Sequence, residues 1–222
     1  MSHVRDVLNT ACLAAQCLQR EEAAVLLTDN TGTDLSLVIS SLAQIILNPD
    51  TRTLHGLQAL IEREWILGGH PFWTRHAPAR AGHEGQAPVF LLFLDCVMQV
   101  YNQFPCSFQF TEKLLISLAD HSLASSFGTF LCDGEREREK AGVRQETVSL
   151  WSFINQIEIL SHHLNCLYLP NKVRQSSQSQ ITNAGTTLQT NVKTKLISDS
   201  GLKLTLSTSE FSNFYNKLKL TQ

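Results

Sequence analysis

The sequence predicts an α/β protein that is mainly helical and ends in a poorly ordered tail. An apolar strand at residues 23–27 is followed by a polar loop that contains Gly32, and an apolar helix begins near Leu35. Segments with helical apolar spacing fill most of the chain up to about residue 156. Beyond that point, Ser, Thr, Gln and Asn dominate residues 171–200 without a sustained period, which is typical of a disordered segment.

Each predicted helix rests on apolar residues spaced three and four apart. The pattern predicts helices over residues 3–19, 35–47, 53–67, 89–104, 111–122 and 148–154, and a solvated helical face over the charge run 135–140. Turn residues separate these helices, namely Asn48-Pro49-Asp50, Gly68-Gly69 and Pro105. Residues 76–87 are interpreted as a loop rich in Gly, Ala, Pro and His, and residues 127–131 as a short extended segment.

The single predicted strand has a consequence for domain organisation. A lone buried strand cannot satisfy its own backbone N–H and C=O groups. We therefore expect the other strands of its sheet to lie outside this chain. On this interpretation residues 1–156 form the C-terminal half of a larger α/β domain, and residues 157–222 form a low-complexity tail.

Composition bears on three questions: nucleic-acid binding, the redox state of the cysteines and the location of the protein. The net charge of −2 argues against nucleic-acid binding, although residues 157–222 hold seven Lys/Arg against three Asp/Glu and the rest of the chain is acidic. Six cysteines without a C-x-x-C pair indicate buried free thiols in a reducing compartment, with Cys12, Cys96 and Cys106 in apolar helical contexts. No secretory leader or membrane-spanning run is evident, so we expect a cytoplasmic protein.

The loop between the strand and the next helix is the candidate functional site. A strand–loop–helix unit builds an anion site, because free N–H groups and the helix dipole face the ligand. This loop carries two aspartates and no Cys, Lys or Arg. Its backbone is therefore suited to bind a phosphate, whereas the negative charges of its side chains would repel one. Its positions are Thr28, Asp29, Asn30, Thr31, Gly32, Thr33, Asp34 and Leu35.

Several blocks of sequence together resemble the second half of a myotubularin phosphatase domain, over about residues 1–156. They read SHVRDVLNTACLAAQCL, VLLTDNTGTDLS, SLAQIILNPDTRTLHGLQALIEREWILGGHPF, PVFLLFLDCVMQVYNQFPCSFQF, FGTFLC and TVSLWSFINQ. The resemblance implies the mainly helical half of a cysteine-phosphatase-like domain of the protein tyrosine phosphatase superfamily. It is nearest to the inactive branch of that family.

Active members of the family are phosphoinositide 3-phosphatases with a His-Cys-x5-Arg loop. The thiolate attacks phosphorus and the arginine stabilises the transition state. By this resemblance Thr28 stands at the histidine position, Asp29 at the nucleophile and Leu35 at the arginine, while Thr31 stands where an acid is often found. Because both indispensable groups are absent, the resemblance predicts no catalytic residue, and neither a cofactor nor a metal.

The resemblance implies a pseudophosphatase that binds active myotubularin phosphatases as a hetero-oligomer and modulates their action on phosphatidylinositol 3-phosphate and the 3,5-bisphosphate. Peripheral contact with phosphoinositide membranes, endosomal or other, is a further expectation, although the tail lysines are too scattered for a polybasic cluster. Two alternatives stay open: a weakly active phosphoinositide phosphatase, and a truncated splice product without function.

Other candidate sites have plainer interpretations. The spacing of His70, His76 and His83 fits no compact zinc site, so solvated loop histidines are favoured. Asp29 and Asp34 could form a D-x4-D magnesium pair, but such a site usually also needs a phosphate ligand.

Overall fold

A computed structural model describes residues 2–20, 23–76 and 88–170 of the chain. In this part of the chain the regular structure is helical. The helices are α1 Ser2–Arg20, α2 Leu35–Leu47, α3 Leu54–Leu60, α4 Phe72–His76, α5 Val89–Gln103, α6 Glu112–Leu123, α7 Glu135–Lys140, α8 Val143–Glu146, α9 Leu150–Ile154 and α10 Ile157–His163. Two 3-10 turns, Pro49–Arg52 and Pro105–Ser107, fall at the predicted proline stops.

The core is built around α5, which is apolar on nearly all sides and buried along most of its length. Helix α2 packs against both α1 and α5, and α6 also packs against α5. Aromatic rings fill the centre, where Trp65 lies 4.9 Å from Phe90 and 5.1 Å from Phe93 between ring centroids. The Trp65 indole donates a hydrogen bond to Ser41 Oγ (3.1 Å), so its buried polar atom is satisfied.

The helix predicted over residues 53–67 changes its winding partway. Residues after α3 continue as a π-helical turn, Ile61–Ile66, and the chain leaves it at Gly69, whose φ is 79°. Thr53 caps the beginning of α3 by accepting the Gly56 N–H at 3.0 Å. None of the helices in the described part of the chain has the length and apolarity needed to cross a membrane.

The predicted buried strand is not formed among the described residues. Residues 23–27 lack helical or strand pairing, and Leu26 is 87% exposed. Between described residues, the one β-type pairing is an antiparallel bridge that joins Phe110 to Leu164. The reason is physical: no described segment runs beside residues 24–28 to exchange backbone hydrogen bonds. The predicted α/β class is therefore not confirmed, and the described part is mainly helical.

The predicted extended segment at 127–131 is wrong, because these residues form bends and a turn. Arg138 Nη1 donates to the backbone oxygens of Gly128 (3.1 Å), Thr129 (3.0 Å) and Leu131 (2.9 Å). The Arg138 side chain is only 11% exposed. The predicted helix over the charge run 135–140 is confirmed, but one of its arginines fixes the neighbouring turn rather than lying in solvent.

The first residues assigned to the predicted tail are folded. Residues 157–163 form α10, and the chain that follows runs antiparallel to residues 105–111. Hydrogen bonds join Thr111 N to His163 O (2.8 Å), Asn165 N to Gln109 O (2.8 Å) and Leu169 N to Cys106 O (2.9 Å). Residues 157–170 thus belong to the folded body. The prediction for residues 171–222 lies outside the described residues.

Candidate functional site: the loop before helix α2

The loop of residues 28–34 turns the chain sharply into α2. Gly32 has a φ of 72°, a left-handed conformation that side-chain-bearing residues rarely adopt. The Asp34 backbone oxygen accepts the N–H groups of Leu37 (3.1 Å) and Val38 (3.3 Å), which begins the helix. The Asp34 side chain makes no capping hydrogen bond, so the free N–H groups of the first turn are open to another acceptor.

That acceptor is the carboxylate of Asp29. Its Oδ1 accepts the N–H of Thr31 (3.0 Å) and that of Gly32, and its Oδ2 accepts the N–H of Ser36 (2.8 Å). Ser36 is the second residue of α2, so Asp29 caps the helix from seven positions upstream. The loop amides and the helix N-terminus therefore converge on an anion that the chain itself supplies.

The charge state of Asp29 follows from these contacts. Partial burial raises the pKa of its carboxyl group, but the backbone hydrogen bonds from Ser36, Gly32 and Thr31 outweigh burial and lower the pKa to about 2. Asp29 is therefore ionised at neutral pH. Its negative charge lies among the N–H groups of the loop and of the first turn of α2.

The second loop aspartate is turned to different partners. Asp34 forms an ion pair with Arg75 of α4, where Arg75 Nε lies 3.2 Å from Asp34 Oδ1 and Nη2 contacts Oδ2. Thr31 Oγ1 also donates to Asp34 Oδ2 (3.0 Å). An arginine is thus present beside the loop, but its charge is compensated by Asp34.

A buried histidine ties the loop to the core. His70 Nδ1 lies 2.8 Å from the Thr33 backbone oxygen, which makes this ring nitrogen the donor. Its side chain is fully buried, and the ring packs edge-on against Trp65 and Phe72. Burial lowers the pKa of His70, although the Thr33 carbonyl and the Asp34 carboxylate act in the opposite direction. The loop is therefore held by a neutral imidazole and by an ion pair from α4.

The remaining predicted loop positions do not converge. Thr28 and Asn30 are exposed, and Leu35 is half-buried against the apolar core. The structure brings together Asp29, Thr31 and Gly32 through the shared carboxylate. It places an aliphatic side chain at the position where the resemblance predicts an arginine in active members.

Sequence reasoning missed both anchors of the loop and misread the histidines. The sequence pattern does not indicate the role of Arg75, and the expectation of solvated loop histidines is wrong for His70 and His76, because both are buried. His76 Nδ1 lies 3.0 Å from the Ser122 backbone oxygen. The only local signal was the position of His70 directly after Gly68-Gly69, where the chain must turn back into the core. His83 lies outside the described residues.

Metal binding finds no support in the described part of the chain. Within residues 2–20, 23–76 and 88–170, no group of three or more His, Cys, Asp and Glu residues is arranged to hold an ion. The two carboxylates of the considered magnesium pair face separate partners: Asp29 binds backbone amides and Asp34 binds Arg75.

Comparison with known proteins decides the family. A family model for the myotubularin-like phosphatase domain matches residues 1–139. The chain belongs to the myotubularin family. Myotubularin-related protein 9 of Homo sapiens is 51% identical over 176 residues, which cover 78% of this chain and 32% of that protein. The resemblance drawn from the sequence blocks is thereby confirmed, and it concerns the C-terminal part of the domain.

Two further myotubularin relatives extend the comparison. Myotubularin-related protein 9 of Caenorhabditis elegans is 43% identical over 178 residues, covering 77% of this chain and 31% of that protein. The phosphatidylinositol-3,5-bisphosphate 3-phosphatase MTMR2 of Mus musculus is 38% identical over 165 residues, covering 73% and 26%. The chain thus spans about a third or less of the length of these relatives.

Proposed function

We propose that this chain is a catalytically inactive myotubularin-like pseudophosphatase that binds active phosphoinositide 3-phosphatases of its family and modulates them. The observation that carries the proposal is the Asp29 carboxylate, which accepts the N–H groups of Thr31, Gly32 and Ser36 at the entrance to α2. A group that holds these amides competes directly with a substrate phosphate.

Electrostatics supports the loss of phosphate binding. Two like charges about 4 Å apart repel by about 4 kcal/mol at an effective dielectric constant of 20. A phosphate placed against this loop would meet ionised Asp29, and Leu35 offers no guanidinium in return. Arg75 is engaged with Asp34 and cannot approach a phosphate without giving up that ion pair.

Chemistry leads to the same proposal. Phosphate transfer in this family, as the resemblance implies, needs a thiolate and an arginine. A carboxylate could attack phosphorus in principle, but enzymes that use one offset the anion–anion repulsion with a metal ion. The described residues assemble no such cation site.

The modulating role rests on family membership. Relatives that share the domain include proteins named as phosphatidylinositol-3,5-bisphosphate 3-phosphatases. A chain with the helical body of the domain keeps surfaces that can contact another protein. Without the thiolate and the arginine, it would not itself hydrolyse the lipid. We therefore assign it a partner role beside such phosphatases, acting on phosphatidylinositol 3-phosphate or the 3,5-bisphosphate through them.

The test measures binding and catalysis separately. The full chain is co-expressed with an active relative such as mouse MTMR2, the complex is isolated, and phosphate release from both lipids is compared with that of the relative alone. We expect co-purification and a changed rate. Failure to recover the relative would contradict the partner role.

Inactivity of the chain itself is tested without a partner. Phosphate release by the wild-type chain is compared with that of Asp29→Ala, and Asp6→Ala on α1 serves as the control for loss of a carboxylate. We expect background release from all three proteins. A rate above background that disappears only in Asp29→Ala would establish the weakly active phosphatase instead.

A further inference from the structure

Two exposed thiols lie on neighbouring segments at the C-terminal edge of the described body. The sequence predicted buried cysteines, yet Cys106 and Cys166 are both exposed and free. Cys106 lies in the turn after α5, and Cys166 follows α10. These segments run antiparallel, with Phe110 paired to Leu164 and the Leu169 N–H donating to the Cys106 carbonyl at 2.9 Å.

One side chain joins the two segments at the residues that directly precede the cysteines in sequence. Asn165 Nδ2 donates to the backbone oxygens of Pro105 (2.8 Å) and Phe108 (2.9 Å). Asn165 directly precedes Cys166, and Pro105 directly precedes Cys106. The residues before the two cysteines are therefore hydrogen-bonded to each other. A disulfide requires Cα atoms roughly 4.4–6.8 Å apart, so it forms only between segments held side by side in this way.

The turn around Cys166 keeps it at this edge. The Tyr168 N–H donates to the Asn165 carbonyl at 3.2 Å, and the Leu167 N–H donates to Asn165 Oδ1 at 3.0 Å. Asn165 thus organises the turn through its carbonyl groups and contacts the body through its amide nitrogen. Both cysteines are presented to solvent, where an oxidant of low molecular weight can reach them.

We propose that Cys106 and Cys166 form a redox-modification site that closes into an intrachain disulfide when a disulfide of low molecular weight, such as oxidised glutathione, is present. One protein thiolate attacks a glutathione sulfur, which forms a mixed disulfide and releases one glutathione thiolate. The other cysteine thiolate then attacks the protein sulfur of that mixed disulfide and releases the second glutathione. Two electrons pass to glutathione, and the two thiol protons end on the two reduced glutathione molecules.

The bridge would close a ring that contains the whole of helices α6 to α10. Its consequence is to fasten the segment after α10 to the turn after α5, replacing hydrogen bonds that can open with a covalent bond. Because a cross-link restricts the unfolded chain more than the folded one, oxidation should raise the thermal unfolding midpoint.

The test uses the full chain titrated with oxidised and reduced glutathione. Tryptic mapping under non-reducing conditions should recover residues 81–113 linked to residues 145–172, and the link should be lost on reduction. Cys96 shares the first peptide but is fully buried. Cys106→Ser and Cys166→Ser should each abolish the link. We expect the oxidised wild-type midpoint to rise by on the order of 5 °C.

Two control variants test whether the link depends on the proximity of Cys106 and Cys166 and not only on their exposure to solvent. Cys17→Ser, on α1, should leave the link unchanged, whereas Asn165→Ala should slow its formation several-fold because the two segments lose their tether. The proposal is overturned if oxidation yields only mixed disulfides with glutathione, if the link joins two chains, or if the linked chain unfolds at the same temperature as the reduced one.

Discussion

At the scale of single residues, Asp29 has a structural role at the beginning of α2. Its carboxylate compensates the dipole of α2 and satisfies N–H groups that the loop would otherwise leave to water. An N-terminal cap of this kind contributes about 1 kcal/mol to stability. These contacts thus help to hold the loop in shape.

Asp29→Ala should therefore lower the free energy of unfolding by about 1 kcal/mol at neutral pH. The pH dependence has a definite sign. The pKa of Asp29 is depressed to about 2 in the folded chain, so its contribution is complete above the unfolded pKa of roughly 4 and is lost as the pH falls toward 2. Urea unfolding at pH 7 and pH 3 measures both effects.

The control for this prediction is Asp6→Ala, which removes an exposed carboxylate from α1. We expect a small difference from wild type that does not follow the same pH window. If Asp29→Ala and wild type differ equally at pH 7 and pH 3, the hydrogen bonds to the ionised carboxylate are not the source of the stabilisation.

Gly32 gives a second prediction at this scale. A Cβ atom at Gly32 would meet no atom within 4 Å, so Gly32→Ala tests the backbone conformation alone. Holding alanine at a φ of 72° costs about 1–2 kcal/mol. Gly134→Ala is the matched control: a Cβ there is equally unobstructed, but its φ of −176° is extended backbone. Equal unfolding midpoints in urea for the two variants would contradict the prediction.

At the scale of elements, side chains of short helices form hydrogen bonds that fix the conformation of neighbouring turns. Helix α7 illustrates this, because Arg138 donates to three backbone carbonyls of the turn at 128–131. Arg138→Ala would leave these partly buried acceptors without a donor, and we expect a loss of about 2–3 kcal/mol. Arg136→Ala, an exposed arginine on the same helix, should change stability by less than about 0.5 kcal/mol. Chemical unfolding of both variants distinguishes a turn anchor from a general charge effect.

The elements also show what the sequence could and could not predict. The bounds predicted for α2 are identical to those observed, and those of α1 and α5 agree to within one residue at each end, because apolar spacing reflects burial directly. The π-helical turn Ile61–Ile66 was missed, since a local change in winding leaves the apolar pattern intact. The strand predicted at 23–27 is not confirmed, because its expected partner strands lie outside this chain and no described segment pairs with it.

In the candidate site, too, the sequence predicts contiguous features but not contacts between distant residues. The sequence identified the loop, its glycine and the beginning of α2, because these are contiguous. It could not identify the roles of Arg75 and His70, which reach the loop from 41 and 37 positions away. Nor could it foresee that Asp29 would bind the loop amides, since that depends on the backbone conformation around Gly32.

At the scale of the whole molecule, the described body buries several ionisable groups in or beside its core. His70, His76 and Asp95 lie against the aromatic cluster or on α5. Burial lowers the pKa of both histidines and raises that of Asp95, so folding shifts each group toward its neutral form relative to the unfolded chain. The core therefore depends on uncharged imidazoles, one of which supports the loop before α2.

Acid should consequently destabilise the body well above the pH at which its carboxylates titrate. The pKa of His76 is lowered to about 4 by burial, against roughly 6.5 when unfolded, so the unfolded state binds more protons as the pH falls from 6.5 toward 4. Between pH 7 and pH 5 this site alone should reduce the free energy of unfolding by about 2 kcal/mol.

Two histidine variants test this prediction. His76→Asn keeps a donor for the Ser122 carbonyl but cannot be charged, and it should flatten the dependence of the free energy of unfolding on pH in this range. His55→Asn, at an exposed position on α3, should leave the profile unchanged. A profile equally steep in His76→Asn and wild type would mean that the sensitivity to acid arises elsewhere in the fold.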